Sequence, residues 1–592
     1  MALRLLYILS AVTLLACRAG REVSSASEGE QPTYQESGPA VFTDWMHSPL
    51  RPLNGEPIAF SAQFSSDIST DKVELYVYEY ELYRSKAGLP SQRQREGGQY
   101  GLMRTWDFAD GPRDLSLDHV HGLGFPAHSR VEYVWRVTDV DGNVTDRFAR
   151  FDAGDSPWPE DKVLLYSASR RPMTEVIDLG FFRDADYGDS LDVYRRDVEA
   201  MVTHGFLASK AFSDHRQLWA FYTTDRVADG KAISKDVTND ALIPQFLKDF
   251  SIPGIDAFCL LHREDYTDRS LLLENFHSLS NNLFSAEAHN WGTAVHECGH
   301  AIFHLSDEYG GCACFQTHNS SNVFRERADC AEWNVANGFP ADDCFELSDI
   351  YERPWFSAEE PTFFRSEEQC REHNRKLGLS TDSCRTFIDV EGEQLYWAFE
   401  ATCIMHDDGD DIVRPFQRAC SRVIEDFYSS LRQNTIEQTL AHDEDDLPIG
   451  RSENIFGYEP VVEVAMTRQS ELWELQVGEA RMGVPTPTRA AGGEVRMRLS
   501  DAEGNTLSTY RLSEPGAAHV HADDADRYAV PEEGTVRVAV PAHLPIARVA
   551  CEYDADAQHR TSREAYPHYQ EGFLFDVAED FRRARGETPA DR

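Results

Sequence analysis

The run His296–Tyr309, HECGHAIFHLSDEY, constrains the fold of this chain more than any other stretch. Trp291, Val295, Cys298, Ile302 and Leu305 recur at steps of four, three, four and three, an apolar stripe at roughly 100° per residue on a helix. A helix with such a stripe buries it against another layer, and His296 and His300 then fall on the opposite, wetter side. Residues four apart stack on one face with a rise of roughly 6 Å, so both imidazoles can aim a ring nitrogen at one point. Glu297 lies beside them.

Neutral imidazole suits zinc. Catalytic zinc sites use three protein ligands and keep a position for water, and a glutamate next to the first histidine is placed to take that water's proton. A third ligand must come from elsewhere, because His304 would lie roughly 12 Å up the axis from His296 on a continuous helix. Asp307 reaches the pair only if the chain breaks after His304 or Leu305 and folds back; Gly310 and Gly311 relax the backbone near that turn. A later glutamate, Glu326 or Glu332, is the alternative, in the manner of thermolysin-like enzymes.

HECGHAIFHLSDEYGG resembles the signature of the M64 metallopeptidases, the group that includes bacterial IgA peptidases, in which H-E-x-x-H is followed by a small residue, Leu and Asp-Glu-Tyr. The resemblance implies His296, His300 and Asp307 as zinc ligands, Glu297 as general base, and a metzincin-like fold with a methionine-containing turn beneath the metal. Residues Ala401–His406, ATCIMH, look like that turn, with Met405 as its floor. Two positions depart from the family pattern. His304 stands where glycine is usual, and Asp407 stands where many metzincins place a tyrosine two residues past the methionine. Tyr309 and His406 are the candidates for an oxyanion or substrate contact. The motif-level resemblance covers about residues 160–430, and its specific part is the helix and the methionine turn.

Arg4 followed by the apolar run Leu5–Ala16 is a signal-peptide core over residues 1–16, too short to span a bilayer. Leu14-Leu15-Ala16-Cys17 resembles the bacterial lipobox, which makes Cys17 a lipidation site at the head of a flexible tether over 17–40. The expectation is an exported lipoprotein of the cell envelope, at the outer membrane or cell surface, or otherwise a secreted or periplasmic protein. Its contact with membrane is through that anchor. The net charge of -44, from 101 acidic against 57 basic residues, argues against nucleic acid and anionic headgroups as partners.

Export permits disulfides. Eight of the 12 cysteines lie between Cys312 and Cys420. Cys330 with Cys344, Cys370 with Cys384, and Cys403 with Cys420 are the expected local bridges, each closing a loop of about 15 residues. Cys312 and Cys314 are read as disulfide partners rather than a metal knuckle, and Cys298, on the apolar face, as a buried thiol.

Alternating runs such as Val73–Tyr78 and Val131–Val137, with a hairpin turn at Asp139–Asn143, predict an immunoglobulin-like β-sandwich over 41–154. Strand and helix signals then alternate up to the histidine helix: Val163–Tyr166, a helix over Ser190–Gly205, Leu218–Thr223, and Ala257–His262 as the strand lining a substrate cleft, whose edge an extended peptide can pair with. Strands return after Arg451, with a hairpin across Asp501–Asn505. The fold class is therefore α+β. A zincin-type, metzincin-like domain over 155–450, with a cysteine-rich insertion at 312–400, is flanked by the first sandwich and by a second over 451–570, with a polar, frayed tail at 571–592. No internal repeat of catalytic sequence is visible. His119 and His121, His519 and His521 read as surface histidines, and Asp407–Asp411 as a solvated acidic turn. The functional expectation is a zinc endopeptidase acting on protein or peptide. The competing class is a surface adhesion protein whose sandwiches bind a partner around an inert zincin.

Overall fold

The computed structural model describes residues 38–84, 90–155, 162–170, 176–230, 255–264, 268, 270–273, 282–303, 305, 322, 324, 327–341, 344–346, 355–357, 363–364, 367–381, 384–386, 397–399, 403–405, 413, 415–416, 420–429, 459–469, 472–483, 495–512, 518–520, 527–529, 533–553 and 573–584. The architecture is mixed α+β, dominated by strands in several sheets.

The first eight strands are β1 (Ala40–Ser48), β2 (Ile58–Ser66), β3 (Thr70–Arg84), β4 (Pro90–Gln94), β5 (Tyr100–Asp107), β6 (Asp114–His121), β7 (Ser129–Asp139) and β8 (Val144–Ala153). They form two antiparallel layers. β1, β2 and β6 make a small sheet, and β3, β4, β5, β7 and β8 belong to a larger one. Period-two alternation sends Phe42, Phe60 and Phe64 from one layer, and Leu75, Val77, Tyr133, Trp135 and Phe151 from the other, into one core. The β7–β8 turn forms as its chemistry predicts: Asp139 accepts from the Asp141 and Asn143 amides and from the Asn143 side chain, and Gly142 takes φ 84°.

The larger sheet does not stop at β8. It continues through β9 (Lys162–Ser167) into β10 (Ile177–Asp184), β11 (Trp219–Ala228), β12 (Ala257–His262), β13 (Ser270–Leu273) and β14 (Asn282–Glu287), in the spatial order β8, β9, β11, β10, β12, β14, β13. Strands β11, β10, β12 and β14 are mutually parallel, while β9 and β13 run antiparallel to their neighbours. The sequence of β12 is a near-continuous apolar run, and β10, though it carries Asp178, Arg183 and Asp184, is buried along almost its whole length, as parallel strands covered on both faces are. One face takes helix α1 (Leu191–Ala200), which continues as a π-turn over Met201–Phe206, then the short helix α2 (Lys210–Ser213) and helix α3 (Trp291–Phe303). The expected cleft strand Ala257–His262 lies inside the sheet between β10 and β14, so it presents no edge. Beyond β14, the antiparallel neighbour is β13.

The first sandwich and the following half share one hydrophobic core, running from Ala40 to Tyr428. Polar contacts reinforce the join. Arg51 makes a bidentate pair with Asp225 at 2.6 and 2.9 Å, Arg216 bonds Asp44 at 2.9 Å and lies over Trp45, and Ser48 bonds Glu199. One core thus spans the join between the region 41–154 and the region that follows it.

Within the cysteine-rich insertion, helix α4 (Arg327–Ala336) leads to β15 (Cys344–Glu346), and helix α5 (Glu367–Leu377) leads to β18 (Cys384–Thr386). Disulfides Cys330–Cys344 and Cys370–Cys384 staple each helix to its strand. The two units match at a constant offset. Asn334 and Asn374, both buried, each bond the sulfur of the strand cysteine, and Gly338 and Gly378 close the helix ends at φ 81° and 73°. Strand β15 pairs with β19 (Trp397–Phe399), and β18 with β16 (Trp355–Ser357), which also pairs with β17 (Phe363–Phe364). A tryptophan begins the partner strand in both units. The insertion is thus an internal repeat.

The C-terminal region packs a sheet of β20 (Glu459–Gln469), β21 (Leu472–Gly483) and β26 (Glu533–Pro541) with one of β22 (Val495–Ser500), β23 (Thr506–Leu512), β27 (Arg548–Tyr553) and β28 (Phe573–Asp576). Strands β24 (Ala518–Val520) and β25 (Arg527–Ala529) leave this sandwich and extend the large sheet beyond β13. The stretch read as a frayed tail carries β28 and helix α7 (Ala578–Ala584), because alternation in Phe573–Asp576 completes the sheet and Phe581 is fully buried in the sandwich core. A further helix, α6, spans 420–429.

Candidate metal centre

Helix α3 begins where Asn290 caps it, its side-chain oxygen accepting from the Thr293 amide at 3.1 Å. Its apolar stripe lies on β12, β13 and β14, with Cys298 beside Cys259 of β12; burial, with Cys298 close by, pushes the Cys259 thiol well up. Both thiols are inert core groups, as expected for Cys298. Gly205 of the π-turn lies against the helix start, a Cβ there being at ordinary contact, 3.5 Å, from Trp291.

The opposite face is not wet. Every residue from Gly292 to Phe303 is buried, including His296, Glu297 and His300 at 3, 7 and 4 % exposure. The cover comes from residues 403–405, Phe416 and α6. Helix α6 docks through Tyr428, which bonds the Ala211 carbonyl and accepts from the Trp219 indole at 2.8 Å, and through Glu425, which bonds His215.

The helix runs to Phe303, and the Leu305 amide reaches back to the Gly299 carbonyl at 3.2 Å, a bond across a separation of six residues, wider than the i→i−4 bond of the helix itself. The Leu305 carbonyl in turn meets the Nδ1 of His300 at 2.6 Å. The Nδ1 of His296 meets the Ile404 carbonyl at 2.9 Å. Carbonyl oxygens only accept, so both Nδ1 atoms carry protons, and each ring when neutral presents a lone pair at Nε2. These face each other at 3.0 Å. Two lone pairs at that separation repel, so either a shared proton or a cation bridges them, and two nitrogens on a tetrahedral zinc, at about 2.0–2.1 Å each, would sit roughly 3.3 Å apart. The pair therefore fits a shared metal, oriented by outer hydrogen bonds of the kind that fix metal-ligating imidazoles.

Met405 lies against the helix between the two histidines: a Cβ on Gly299 would sit 2.8 Å from its sulfur and 3.1 Å from the Phe416 ring. Cys403, Ile404 and Met405 are all buried, and the Ile404 amide is held by the Pro415 carbonyl. The turn over 403–405 thus underlies the histidine face, with Ile404 supplying an orienting carbonyl that the sequence did not single out. Cys403 and Cys420 are not joined in a disulfide; both sit in the apolar core as small hydrophobic groups.

Cys17, His304, Asp307, Tyr309, Cys312, Cys314, Glu326, His406, the acidic run Asp407–Asp411 and His521 lie outside the described residues. Glu332 is exposed on α4, and among the described residues no three His, Cys, Asp or Glu groups converge on one point. Glu332 is therefore not brought to the buried histidines. His121 bonds the Gly124 carbonyl, and His119 lies edge-on to Trp106.

One constellation escaped the sequence reading. His262, fully buried at the end of β12, bonds Asp268 at 2.5 Å, and Asp268 also accepts from the Ser285 hydroxyl and the Glu287 amide of β14. Burial works against charging His262, but the bond and charge of Asp268 prevail and raise its pKa. The pair clamps the approach to β13 across two parallel strands. In the sequence its one signal is that a histidine ends the apolar run AFCLLH.

No protein-family model matches the chain, and no curated protein does. Among solved structures, the chain is similar over 21 % of its length to the sporulation control protein Spo0M of Bacillus subtilis, at 12 % identity and a TM-score of 0.15. It spans about half of that protein, 53 %. A Niemann-Pick type C2 protein from the Japanese carpenter ant matches over 20 % of this chain and 96 % of its own, at 14 % identity and a TM-score of 0.13.

Proposed function

We propose that the chain is a zinc-dependent endopeptidase with a zincin-type catalytic half, and that His296 and His300 hold the metal. The observation that carries this reading is the pair of facing Nε2 atoms, 3.0 Å apart, each ring fixed by a carbonyl on its other nitrogen. Asp307 is the proposed third ligand. The Leu305 amide, already turned back onto Gly299, supports a chain path that returns towards the histidines two residues later. An antiparallel strand beside β14, with the histidine helix packed beneath, supports the zincin reading of the sheet.

When bound, zinc supplies Lewis acidity, lowering the pKa of a water towards about 7 and polarising a carbonyl. The chain's own groups do the rest. Glu297 lies roughly 60° round the helix from His300, on the same half as both histidines, and its carboxylate takes a proton from water and returns it to the departing amine nitrogen. The carbonyls of Ile404 and Leu305 hold the imidazoles in the tautomer that leaves Nε2 available. Met405 and Phe416 keep water from the underside of the helix.

The two disulfides fit an exported protein, and among the described residues no helix is long and apolar enough to cross a membrane. The lipid anchor at Cys17 and a location in the bacterial cell envelope are part of the proposal.

The test is metal analysis joined to cleavage of a mixed peptide library. Purified mature chain should hold about one zinc, and His296→Ala and Asp307→Ala should lose it. Glu297→Ala should keep the metal and lose cleavage, and a chelator should abolish cleavage in the parent. Undiminished cleavage by Glu297→Ala would sink the reading.

A further inference from the structure

Strand β13 is the antiparallel strand beyond β14, and α3 packs beneath both. Its inner side pairs with β14, Ser270 with Phe284 and Leu271 with Leu283. Its outer side would be the open edge of this half of the sheet, a row of backbone donors and acceptors that any extended peptide can satisfy. That side is filled by the chain itself. Strand β24 pairs antiparallel to β13, with Leu271 opposite Val520, Leu272 opposite His519 and Leu273 opposite Ala518. Strand β25 then pairs outside β24, Ala518 with Ala529, and ends the sheet.

The origin of this hairpin is the telling fact. It lies between β23, which ends at Leu512, and β26, which starts at Glu533, so it departs from the C-terminal sandwich and returns to it. The two sheets of that sandwich are complete without it. Its pairing partner is instead a strand more than two hundred residues earlier in the chain, next to the histidine helix.

We propose that the hairpin of β24 and β25 is an intramolecular plug on the peptide-binding edge, so that the C-terminal sandwich holds the peptidase closed to substrate until the hairpin is displaced or removed. The inference rests on the endopeptidase reading above. A seated β24 and an extended substrate compete for the same backbone groups of Leu271–Leu273. The overlap is three residue pairs long, short enough to be exchanged for a longer peptide. If the hairpin is seated about nine-tenths of the time, the apparent affinity for peptide falls about tenfold.

The experiment uses the full, zinc-loaded chain, a His519→Pro variant, and a second variant in which residues 514–531 are replaced by a short Gly-Ser linker. Proline cannot donate to the ladder and weakens the strand whichever side it bonds. Hydrogen exchange at Leu271–Leu273 reads whether the edge is covered, and the binding of a labelled extended peptide reads whether it is open. Protection of Leu271–Leu273 in the parent, lost in both variants, with peptide binding tightened about tenfold and KM lowered in proportion while kcat is little changed, is the expected result. Fast exchange at Leu271–Leu273 in the parent would overturn it. So would unaltered peptide binding in variants that have lost protection, with or without self-association, since the hairpin would then serve only to cover an edge. Tightened peptide binding with no cleavage in any form would leave the plug standing and remove the endopeptidase reading.

Discussion

Substituting Gly299 by alanine separates two physical effects of opposite sign. In an unconstrained helix interior, Gly→Ala stabilises by about 1 kcal/mol, because glycine loses more backbone freedom on folding. At Gly299 the added methyl would lie 2.8 Å from the Met405 sulfur and 3.1 and 3.4 Å from two Phe416 ring atoms, where relaxed contacts between carbon atoms are about 3.5–4.0 Å. Met405 and Phe416 are themselves buried, at 0 and 7 % exposure, so neither can swing into solvent. Overpacking of a filled core costs about 1–3 kcal/mol, which leaves a net loss of about 0–2 kcal/mol, so the variant should be the less stable form. The displaced Met405 also moves its neighbour Ile404, whose carbonyl orients His296, so zinc affinity should drop about 10- to 100-fold as it does when such outer contacts are lost. The assay is urea denaturation of Gly299→Ala, Met405→Ala and the double variant, with zinc titration alongside. Met405→Ala alone should cost about 2–5 kcal/mol, and the alanine at 299 should then be harmless or stabilising, giving a coupling above about 0.5 kcal/mol. A rise in stability for Gly299→Ala alone, or strict additivity, would refute the packing argument.

Three further outcomes are expected. Asp268→Asn removes the partner of buried His262, whose folded pKa lies above its ordinary value of 6.5. Stability from that pair is present in full below the unfolded pKa and fades as pH rises through the folded one, so the variant should lose about 3–5 kcal/mol near pH 5.5 and less near pH 9, measured by denaturation midpoints at both. Opening either insertion disulfide, as Cys330→Ser with Cys344→Ser or Cys370→Ser with Cys384→Ser, should cost that unit about 3 kcal/mol for a sequence separation of 14, read as new proteolysis within the opened unit and not its twin. Asn334→Leu and Asn374→Leu should each destabilise their own unit, by about 1–3 kcal/mol, through the buried partners they abandon; equal protease resistance to the parent would contradict this.

Much of the centre was legible in the sequence because its information is local. Spacing of four places two imidazoles on one helix face, and the apolar stripe at Trp291, Val295 and Cys298 assigns the other face to the sheet. The reversal that Asp307 would need is a requirement the spacing states in advance; the Leu305 amide bonds the Gly299 carbonyl, and Asp307 itself lies outside the described residues. Periodicity could not reveal that the histidine face is buried, since the cover arrives from residues 403–405 and α6, more than a hundred positions on. The same limit explains the misplaced cleft strand. An apolar run such as AFCLLH says that a strand is buried on both faces and is silent about its neighbours, and Ala257–His262 proves interior. Loop-closing cysteines at short separation were correctly paired twice. Cys403 and Cys420 have a similar spacing but sit in an apolar core, where separation alone is a poor guide. The insertion's repeat was hidden because its units share few residue identities beyond Cys, Asn and Gly at matching positions.

The shared core bears on the adhesion alternative. If the first sandwich were a binding module carried by an inert neighbour, it would be expected to close its own core and meet the next domain through a modest, polar interface. Instead Trp45 of β1 lies under Arg216, its indole bonds the Phe148 carbonyl of β8, and its own carbonyl accepts from Tyr166 of β9. His47 of the same strand is buried and stacked on Phe151, and burial drives its pKa down to about 3, so it is neutral packing rather than surface chemistry. The Arg51 and Asp225 pair crosses the join with the arginine 4 % exposed. Separating the chain between residues 155 and 162 would strip these groups of partners on both sides. A sandwich that cannot be detached without exposing the core of the histidine-bearing half is better understood as part of the frame that holds α3 and its two imidazoles in place.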